Sequence, residues 1–190
     1  MNLKRLTLAA LGAASLLGGA AHAQPYLGIS LGQSSIDESI TEGLITSGTT
    51  DGKDSAFKLF GGYRFHRNFA AELAYVNLGE LSYSGTFFGT PVTGGSVEAN
   101  GFNVSGVGLL PLTEEFTLFA KLGLFAWEAK ASDTTGGAPF SASTDGADVS
   151  FGIGASYDFT KQFTVRAEWE RFKLESADAD LISVGVVFRF

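Results

Sequence analysis

The sequence contains no cysteine, which excludes a disulfide framework, a thiolate metal site and a cysteine nucleophile. Basic residues are also scarce, because 13 Lys and Arg stand against 20 Asp and Glu and give a formal net charge of −7. This balance lacks the basic surface that nucleic-acid binding requires. A chain of 190 residues allows one domain, or one domain with a small appendage.

Glycine and phenylalanine, in contrast, are abundant, with 25 and 17 residues. Hydrophobic residues make up 45% of the chain and charged residues 17%, a balance too apolar for a disordered protein. Glycine disfavours helices, whereas aromatic residues are common in strands. The composition therefore favours many short strands.

Residues 1–23 have the pattern of a secretory signal peptide. Lys4 and Arg5 precede an apolar run, and Ala21-His22-Ala23 supplies the small residues of a cleavage site. The run is too short and too rich in glycine to favour a transmembrane helix. No cysteine follows it, which excludes a lipoprotein anchor. We expect cleavage after Ala23 and a single exported domain over residues 24–190.

In the rest of the chain, apolar residues recur at every second position, the period of a strand with two different faces. Eight segments show this alternation, near residues 27–32, 57–65, 69–76, 102–110, 118–124, 149–158, 163–170 and 182–190. We predict strands of about 9–12 residues, the length that lets a tilted strand cross a bilayer.

The predicted connections alternate in length. Those near 65–68, 111–115 and 158–162 are tight, whereas those near 34–53, 78–96 and 130–147 are long and polar, and the connection near 174–179 is intermediate. Asn100-Gly101 could form a hairpin turn, but the alternation continues beyond it, so we place it inside a strand. Short turns at one end and long loops at the other are typical of an outer-membrane barrel.

The two faces distinguish a membrane barrel from a soluble one. A soluble eight-stranded barrel fills its interior with large apolar residues. Here the face rich in Leu, Ile, Val and Phe opposes one of small residues and charges, so we expect the apolar face to meet lipid. Aromatic residues beside the short turns predict an interfacial girdle: Phe65, Phe69, Phe116, Tyr157, Phe159 and Phe163. Trp169 is a candidate for the opposite belt, and Trp127 and Phe172 are candidates to cap the lumen.

Several short motifs resemble those of OmpA-type transmembrane barrels. They are Phe60-Gly61-Gly62-Tyr63-Arg64, the run from Phe69 to Tyr75, Leu110-Pro111-Leu112-Thr113, Lys121-Leu122-Gly123 and Val165-Arg166-Ala167-Glu168-Trp169. Phe190, Phe188 and Val186 are similar to the C-terminal signal that the outer-membrane assembly machinery reads. The resemblance implies an all-β, eight-stranded antiparallel up-and-down barrel. The peptidoglycan-binding domain that follows the barrel in full-length OmpA proteins is not found in this sequence, which puts a cell-wall tethering role in doubt.

The charged residues of the lumenal face are the main candidate site. The resemblance implies an ion-pair network of Glu72, Lys121, Arg166 and Glu168, which in OmpA-type barrels is associated with gating of a small conductance. Lys58, Arg64, Glu170 and Arg189 are expected as outer members. The basic residue of the fourth strand in that family corresponds to Val107 here, which puts the gate in doubt. The alternative is that the charges only fill and rigidify the lumen, because buried charges must be paired.

Catalytic and metal-binding motifs have little support. Gly28-Ile29-Ser30-Leu31-Gly32 matches a nucleophile elbow, but no helical pattern follows it, and His66 lies in a short turn at the other end of the barrel. Thr50-Asp51-Gly52-Lys53-Asp54 resembles part of a calcium loop but lacks its final ligand. We therefore predict no enzymatic activity, no cofactor and no metal.

These observations predict an integral outer-membrane protein of a Gram-negative bacterium, monomeric, with a structural role in the envelope. A narrow gated pore and an adhesin-type surface protein are the alternatives, with a lipid-modifying enzyme last. The expected partners are outer-membrane lipids and lipopolysaccharide, the barrel assembly machinery, and an extracellular ligand of the long loops. Those loops are acidic: Asp37, Glu38, Glu42, Asp51, Asp54, Asp133, Asp145, Asp178 and Asp180.

Overall fold

A computed structural model describes residues 24–37, 53–87, 90–133, 140–174 and 177–190. The predicted signal peptide lies outside these residues, as do Glu38, Glu42 and the first part of the calcium-like motif, Thr50-Asp51-Gly52. Among the residues described, no helix is long and apolar enough to cross a membrane.

Eight antiparallel strands form one closed sheet in which each strand pairs with the next and the last returns to the first. Their bounds are β1 (Gln24–Asp37), β2 (Lys53–His66), β3 (Phe69–Phe87), β4 (Thr90–Pro111), β5 (Phe116–Asp133), β6 (Phe140–Asp158), β7 (Phe163–Leu174) and β8 (Ala177–Arg189). Closure leaves no sheet edge within the barrel wall, so the backbone groups of the wall are paired inside the sheet. The predicted up-and-down barrel is confirmed.

Side chains alternate between the lumen and the outer surface, as the period of two predicts. On the outer face, Leu31 is 67% exposed, Leu122 66% and Ile182 65%. On the lumenal face, Lys58, Glu72 and Glu170 are each at most 3% exposed. The apolar residues therefore face outward and the charges face inward, the reverse of a soluble barrel.

The strands are longer than the alternation predicts, with 12 to 22 residues instead of about 9–12. The predicted long loops near 78–96 and 130–147 are largely strand, because β3 pairs with β4 as far as Phe87 and Thr90, and β5 pairs with β6 as far as Asp133 and Phe140. Polar, glycine-rich composition favours loops, but backbone pairing does not require apolar side chains. Asn100-Gly101 lies inside β4, as expected.

A β-bulge interrupts β3 just beyond its last pair with β2. The register with β4 shifts between Asn77 and Glu80, and Gly79 has a φ of 88°. The Asn77 side-chain oxygen accepts a hydrogen bond from the Gly79 N–H at 2.9 Å. Glycine adopts this positive φ without steric cost, so the sequence permits the bulge at this position.

An aromatic girdle surrounds the end of the barrel that carries the short turns, as predicted. Tyr157 and Phe159 have ring centroids 5.1 Å apart, and both rings are exposed. Phe188 lies 5.3 Å from Phe163 and 5.0 Å from Phe190, measured between ring centroids. Two residues of the predicted assembly signal thus belong to this girdle, and Val186 lies on the same outer face of β8.

Lumenal aromatic residues lie opposite glycines of the neighbouring strand. Phe60 pairs with Gly28, and Phe119 pairs with Gly154. A methyl group added to Gly28 would overlap the Phe60 ring, and one added to Gly154 would overlap both the Phe119 ring and the carbonyl oxygen of Ala167. These glycines therefore provide the space in which the rings lie flat across the narrow lumen.

Substituting Gly154 by Ala should destabilise the barrel by about 1–3 kcal/mol, because the added methyl group overpacks the lumen. Gly106→Ala is the matched control, since its methyl group would point outward with the Leu122 carbonyl oxygen as its nearest neighbour at 4.0 Å. Urea unfolding in detergent micelles, followed by the fluorescence of the two tryptophans, measures both variants. Equal stability of the two variants would contradict the packing account.

Candidate functional site

Six charged side chains meet near the middle of the lumen, and all are at most 6% exposed. They are Lys58 of β2, Glu72 of β3, Lys121 of β5, and Arg166, Glu168 and Glu170 of β7. Three are basic and three acidic, so the cluster has no net formal charge. We call these six residues the lumenal network. The four predicted inner residues are together, whereas Lys58 and Glu170, predicted as outer members, are also central.

Lys58 and Lys121 bridge the carboxylates of β7. The Lys58 ammonium group donates hydrogen bonds to both Glu168 and Glu170. Lys121 Nζ lies 3.0 Å from Glu168 and 3.1 Å from Glu170. The two lysines thus hold two carboxylates that lie two residues apart on the same strand and would otherwise repel each other.

Glu72 joins the other side of the network. Its carboxylate accepts hydrogen bonds from Lys121 at 2.5 Å and from Arg166 at 2.8 Å. The Tyr26 hydroxyl donates a third hydrogen bond at 3.1 Å. A buried carboxylate is stable only when such donors replace its water shell.

Two phenylalanine rings lie against the cations. Arg166 Cζ is 4.1 Å from the centroid of the Phe119 ring and 5.0 Å from that of Phe60. The ammonium groups of Lys58 and Lys121 are 5.2 and 5.8 Å from the Phe60 centroid. Cations are attracted to ring faces, so both rings orient the network and exclude water from it. The pattern of charges alone does not predict Phe60, Phe119 and Tyr26, although all three have lumenal parity opposite small residues.

An apolar plug fills the lumen on the side of the network towards the long loops. It consists of Val76, Leu78, Phe125, Trp127, Phe172 and Leu181. The Phe125 and Phe172 rings are fully buried, and their centroids are 4.7 Å apart. The Trp127 indole N–H donates a hydrogen bond to Asp148 at 2.8 Å. Trp127 and Phe172, the two candidates to cap the lumen, both belong to this plug, and apolar side chains fill this section of the lumen.

Arg64 and Arg189, predicted as outer members of the network, lie instead near the short turns. Arg189 forms a two-pronged hydrogen bond with Asp158, with distances of 2.6 and 2.7 Å. Arg64 donates a hydrogen bond at 2.6 Å to the carbonyl oxygen of Arg67. His66 is exposed at the end of β2, where its Nδ1 accepts a hydrogen bond from the Asn68 N–H at 3.2 Å.

Val107 is buried beside Ala70 and Phe119, and it carries no charge to the network. Lys58 supplies the third positive charge in place of a basic residue on β4, although the resemblance did not assign Lys58 to the inner set. Since Lys58 contacts both β7 carboxylates, the network is neutral without a basic residue on β4.

Ser30 of the elbow-like motif lies next to this site, opposite Lys58 in the register of β1 with β2. Ser30 lies on the lumenal face of β1, 2% exposed, within a regular strand rather than at a turn. Among the described residues, no group of three or more His, Asp and Glu side chains could hold a metal ion.

Removing Lys58 should destabilise the barrel strongly, because Glu168 and Glu170 lose a shared partner. We expect Lys58→Met to lower the free energy of unfolding by about 3–5 kcal/mol. Lys173→Met is the control, since Lys173 pairs with Asp178 at the exposed end of β7 and such a pair contributes about 1 kcal/mol or less. Adding Glu170→Gln to Lys58→Met restores neutrality and should recover much of the loss. No recovery in the double variant, measured by urea unfolding, would contradict a balanced network.

Comparison with known proteins supports the barrel fold and its location in the outer membrane. Residues 6–190 match the family model described as the outer membrane protein beta-barrel domain. Outer membrane protein A of Shigella flexneri is 26% identical over 175 residues, which cover 87% of this chain and 48% of that protein. The chain thus spans about half the length of this relative.

Two solved structures share the fold. The attachment invasion locus protein Ail of Yersinia pestis, in complex with the heparin analogue sucrose octasulfate, superposes with a TM-score of 0.59 at 18% identity, over 88% of this chain and 99% of Ail. Neisserial surface protein A gives a TM-score of 0.63 at 14% identity, also over 88% of this chain and 99% of the other. With its outward apolar wall and inward charges, this chain is an outer-membrane protein and belongs to the outer membrane protein beta-barrel domain family.

Proposed function

We propose that the chain is a structural protein of the outer membrane that supports the envelope and presents a surface to the exterior, with a lumen closed to solutes. The observation that carries this proposal is the lumen, in which the apolar plug and the lumenal network follow one another along the axis. A barrel of eight strands encloses little more than its own side chains.

The two barriers oppose different solutes. The network presents fixed charges that are already paired, so an entering ion must break an existing ion pair. The plug presents fully buried rings and aliphatic groups, which offer no polar partner to an ion or to water. A solute would have to displace both, and this favours the structural role over a pore.

A narrow gated pore is the alternative function. Its support is the chain of alternative partners within the network: Lys121 contacts Glu72, Glu168 and Glu170, so one ion pair can be exchanged for another with little movement. In this alternative the gate residues are Glu72, Lys121, Arg166 and Glu168, and the plug must also move.

An adhesin-type role is a further alternative, supported by the length of the wall. Strands β3 to β6 continue well beyond the last pairs of β2 with β3 and of β6 with β7, and so form a raised sheet on one side. Ail, which shares the fold, is named for attachment and invasion. Replacing residues 78–96 and 130–147 by short turns should abolish any binding to host cells or matrix.

The proposed partners follow from the surface. The outward apolar wall contacts outer-membrane lipids and lipopolysaccharide, and the girdle with Phe188 and Phe190 supports recognition by the barrel assembly machinery. We propose a monomer without enzymatic activity, since Ser30 of the elbow-like motif is buried within a strand.

Conductance in planar bilayers separates the closed barrel from the pore. We expect the refolded wild type and Glu72→Ala to be silent, because the apolar plug remains in both. Combining Glu72→Ala with Phe125→Ala and Phe172→Ala removes both barriers and should produce openings. Heat-modifiable gel mobility establishes that each variant is folded. Discrete wild-type openings that change in Glu72→Ala would instead support the gated pore.

A further inference from the structure

A cavity of about 60 Å³ lies between the lumenal network and the short turns, a region to which the proposed function assigns no role. Such a volume exceeds the roughly 10–15 Å³ that one water molecule needs. Its polar lining consists of three guanidinium groups and three hydroxyl groups: Arg64, Arg166, Arg189, Tyr26, Ser156 and Thr164. No carboxylate of the described residues belongs to the lining.

The surrounding charges favour an anion. Arg166 belongs to the neutral lumenal network, where it pairs with Glu72 and Glu168, and Arg189 is paired with Asp158. Arg64 forms no ion pair with any residue that the structure describes, and its one hydrogen bond goes to a backbone carbonyl. The described groups around the cavity thus carry one more positive than negative charge.

The deepest of the three guanidinium groups also retains donor capacity. Arg166 is 6% exposed, and its Nε and Nη2 have no hydrogen-bond acceptor within the described part of the chain. Its Nη2 lies 3.3 Å from Glu168 without hydrogen-bond geometry. Stacking on Phe119 fixes the guanidinium in place, so it cannot turn away to find other partners.

The remaining walls are short and apolar, formed by Ala70, Val107, Leu109 and Val187 together with the Phe119 ring. None of these side chains carries a carboxylate, carbonyl or hydroxyl group that could accept a hydrogen bond from the arginines. Arg64 and Arg189 are partly exposed, so the cavity opens towards the short turns.

We propose that this cavity is a binding site for a small oxyanion, of the phosphate or sulfate class, that enters from the side of the short turns. Arg64 is its principal ligand, and Arg189 is the second. Planar guanidinium groups bind oxyanions through paired, charge-assisted hydrogen bonds. No described acidic side chain lines the cavity, and the two carboxylates behind its wall, Glu72 and Asp158, are each paired with a guanidinium group. The bound anion would balance the excess positive charge of Arg64.

Inorganic phosphate is the probe for the test. The full chain, refolded in maltoside micelles that contain no phosphate, is titrated with sodium phosphate while sodium chloride keeps the ionic strength constant. Nitrogen–proton NMR spectra report the backbone amides and the arginine Nε–H groups. We expect saturable shifts at millimolar phosphate, centred on Arg64, Thr164 and Arg189, and competition by sulfate.

Two variants locate the site. Arg64→Gln should weaken phosphate binding about tenfold or more, because it removes a charged donor. Lys161→Gln is the matched control, since Lys161 is an exposed cation in the turn at the same end and does not line the cavity. It should leave the affinity unchanged.

Either of two results would overturn the proposal. One is a set of wild-type NMR shifts that does not saturate with phosphate, or that chloride reproduces at equal ionic strength. Such a result would show charge screening only, and it requires no variant. The other is an equal loss in Arg64→Gln and Lys161→Gln, which shows a diffuse effect of surface charge. If Arg64→Gln fails to fold, Arg64→Lys provides the test: it keeps the charge but loses the planar fork, and an unchanged affinity would exclude guanidinium recognition.

Discussion

The pairing of charges within a narrow closed lumen is the constraint on which the rest of this structure depends. Eight strands leave an interior about as wide as the side chains that fill it, and the six buried charges therefore have little water around them. Each must find its partner among the others. Lys58 and Lys121 hold the carboxylates of β7, and Glu72 joins Lys121 to Arg166. Glycines provide room for the groups around the charges: a methyl group on Gly62 would overlap Tyr26, and one on Gly152 would overlap the Glu170 side chain.

The lumen thereby divides into three sections with different chemistry. The plug around Phe125 and Phe172 excludes polar solutes because it offers them no partner, whereas the network resists ions because its charges are already paired. Below the network, Arg64 and Arg189 surround a cavity that is open to solvent and has excess positive charge. The plug and the network, which block permeation, and the cavity proposed to bind an anion therefore lie at different heights of the same barrel.

Period-two alternation was sufficient to predict the fold. In a closed membrane barrel every strand has one face towards the lumen and one towards the outside, so the same alternation recurs in all strands. It also placed the long charged residues on the lumenal face, and the resemblance to OmpA-type barrels selected Glu72, Lys121, Arg166 and Glu168 among them as the inner set. The extents of β3 to β6 could not be predicted, because backbone pairing outside the lipid leaves no hydrophobic pattern. The central position of Lys58 and the rings of Phe60 and Phe119 were also missed, since they depend on which residues lie opposite across the lumen, and that is set by the register between strands.

Lys58 and Val107 show that the lumenal network can have no net charge without a basic residue at any one particular position. The resemblance to OmpA-type barrels implies a base on the fourth strand, where this chain has Val107. Lys58 supplies the third positive charge from β2, so three bases still face three acids. The exchange changes the space as well as the charge, because a valine in place of a long basic side chain lines the cavity below the network without filling it. A basic residue at position 107 would add a fourth cation to the lumen. Val107 therefore leaves room in the cavity beside Arg64, while Lys58 supplies from β2 the charge that keeps the network neutral.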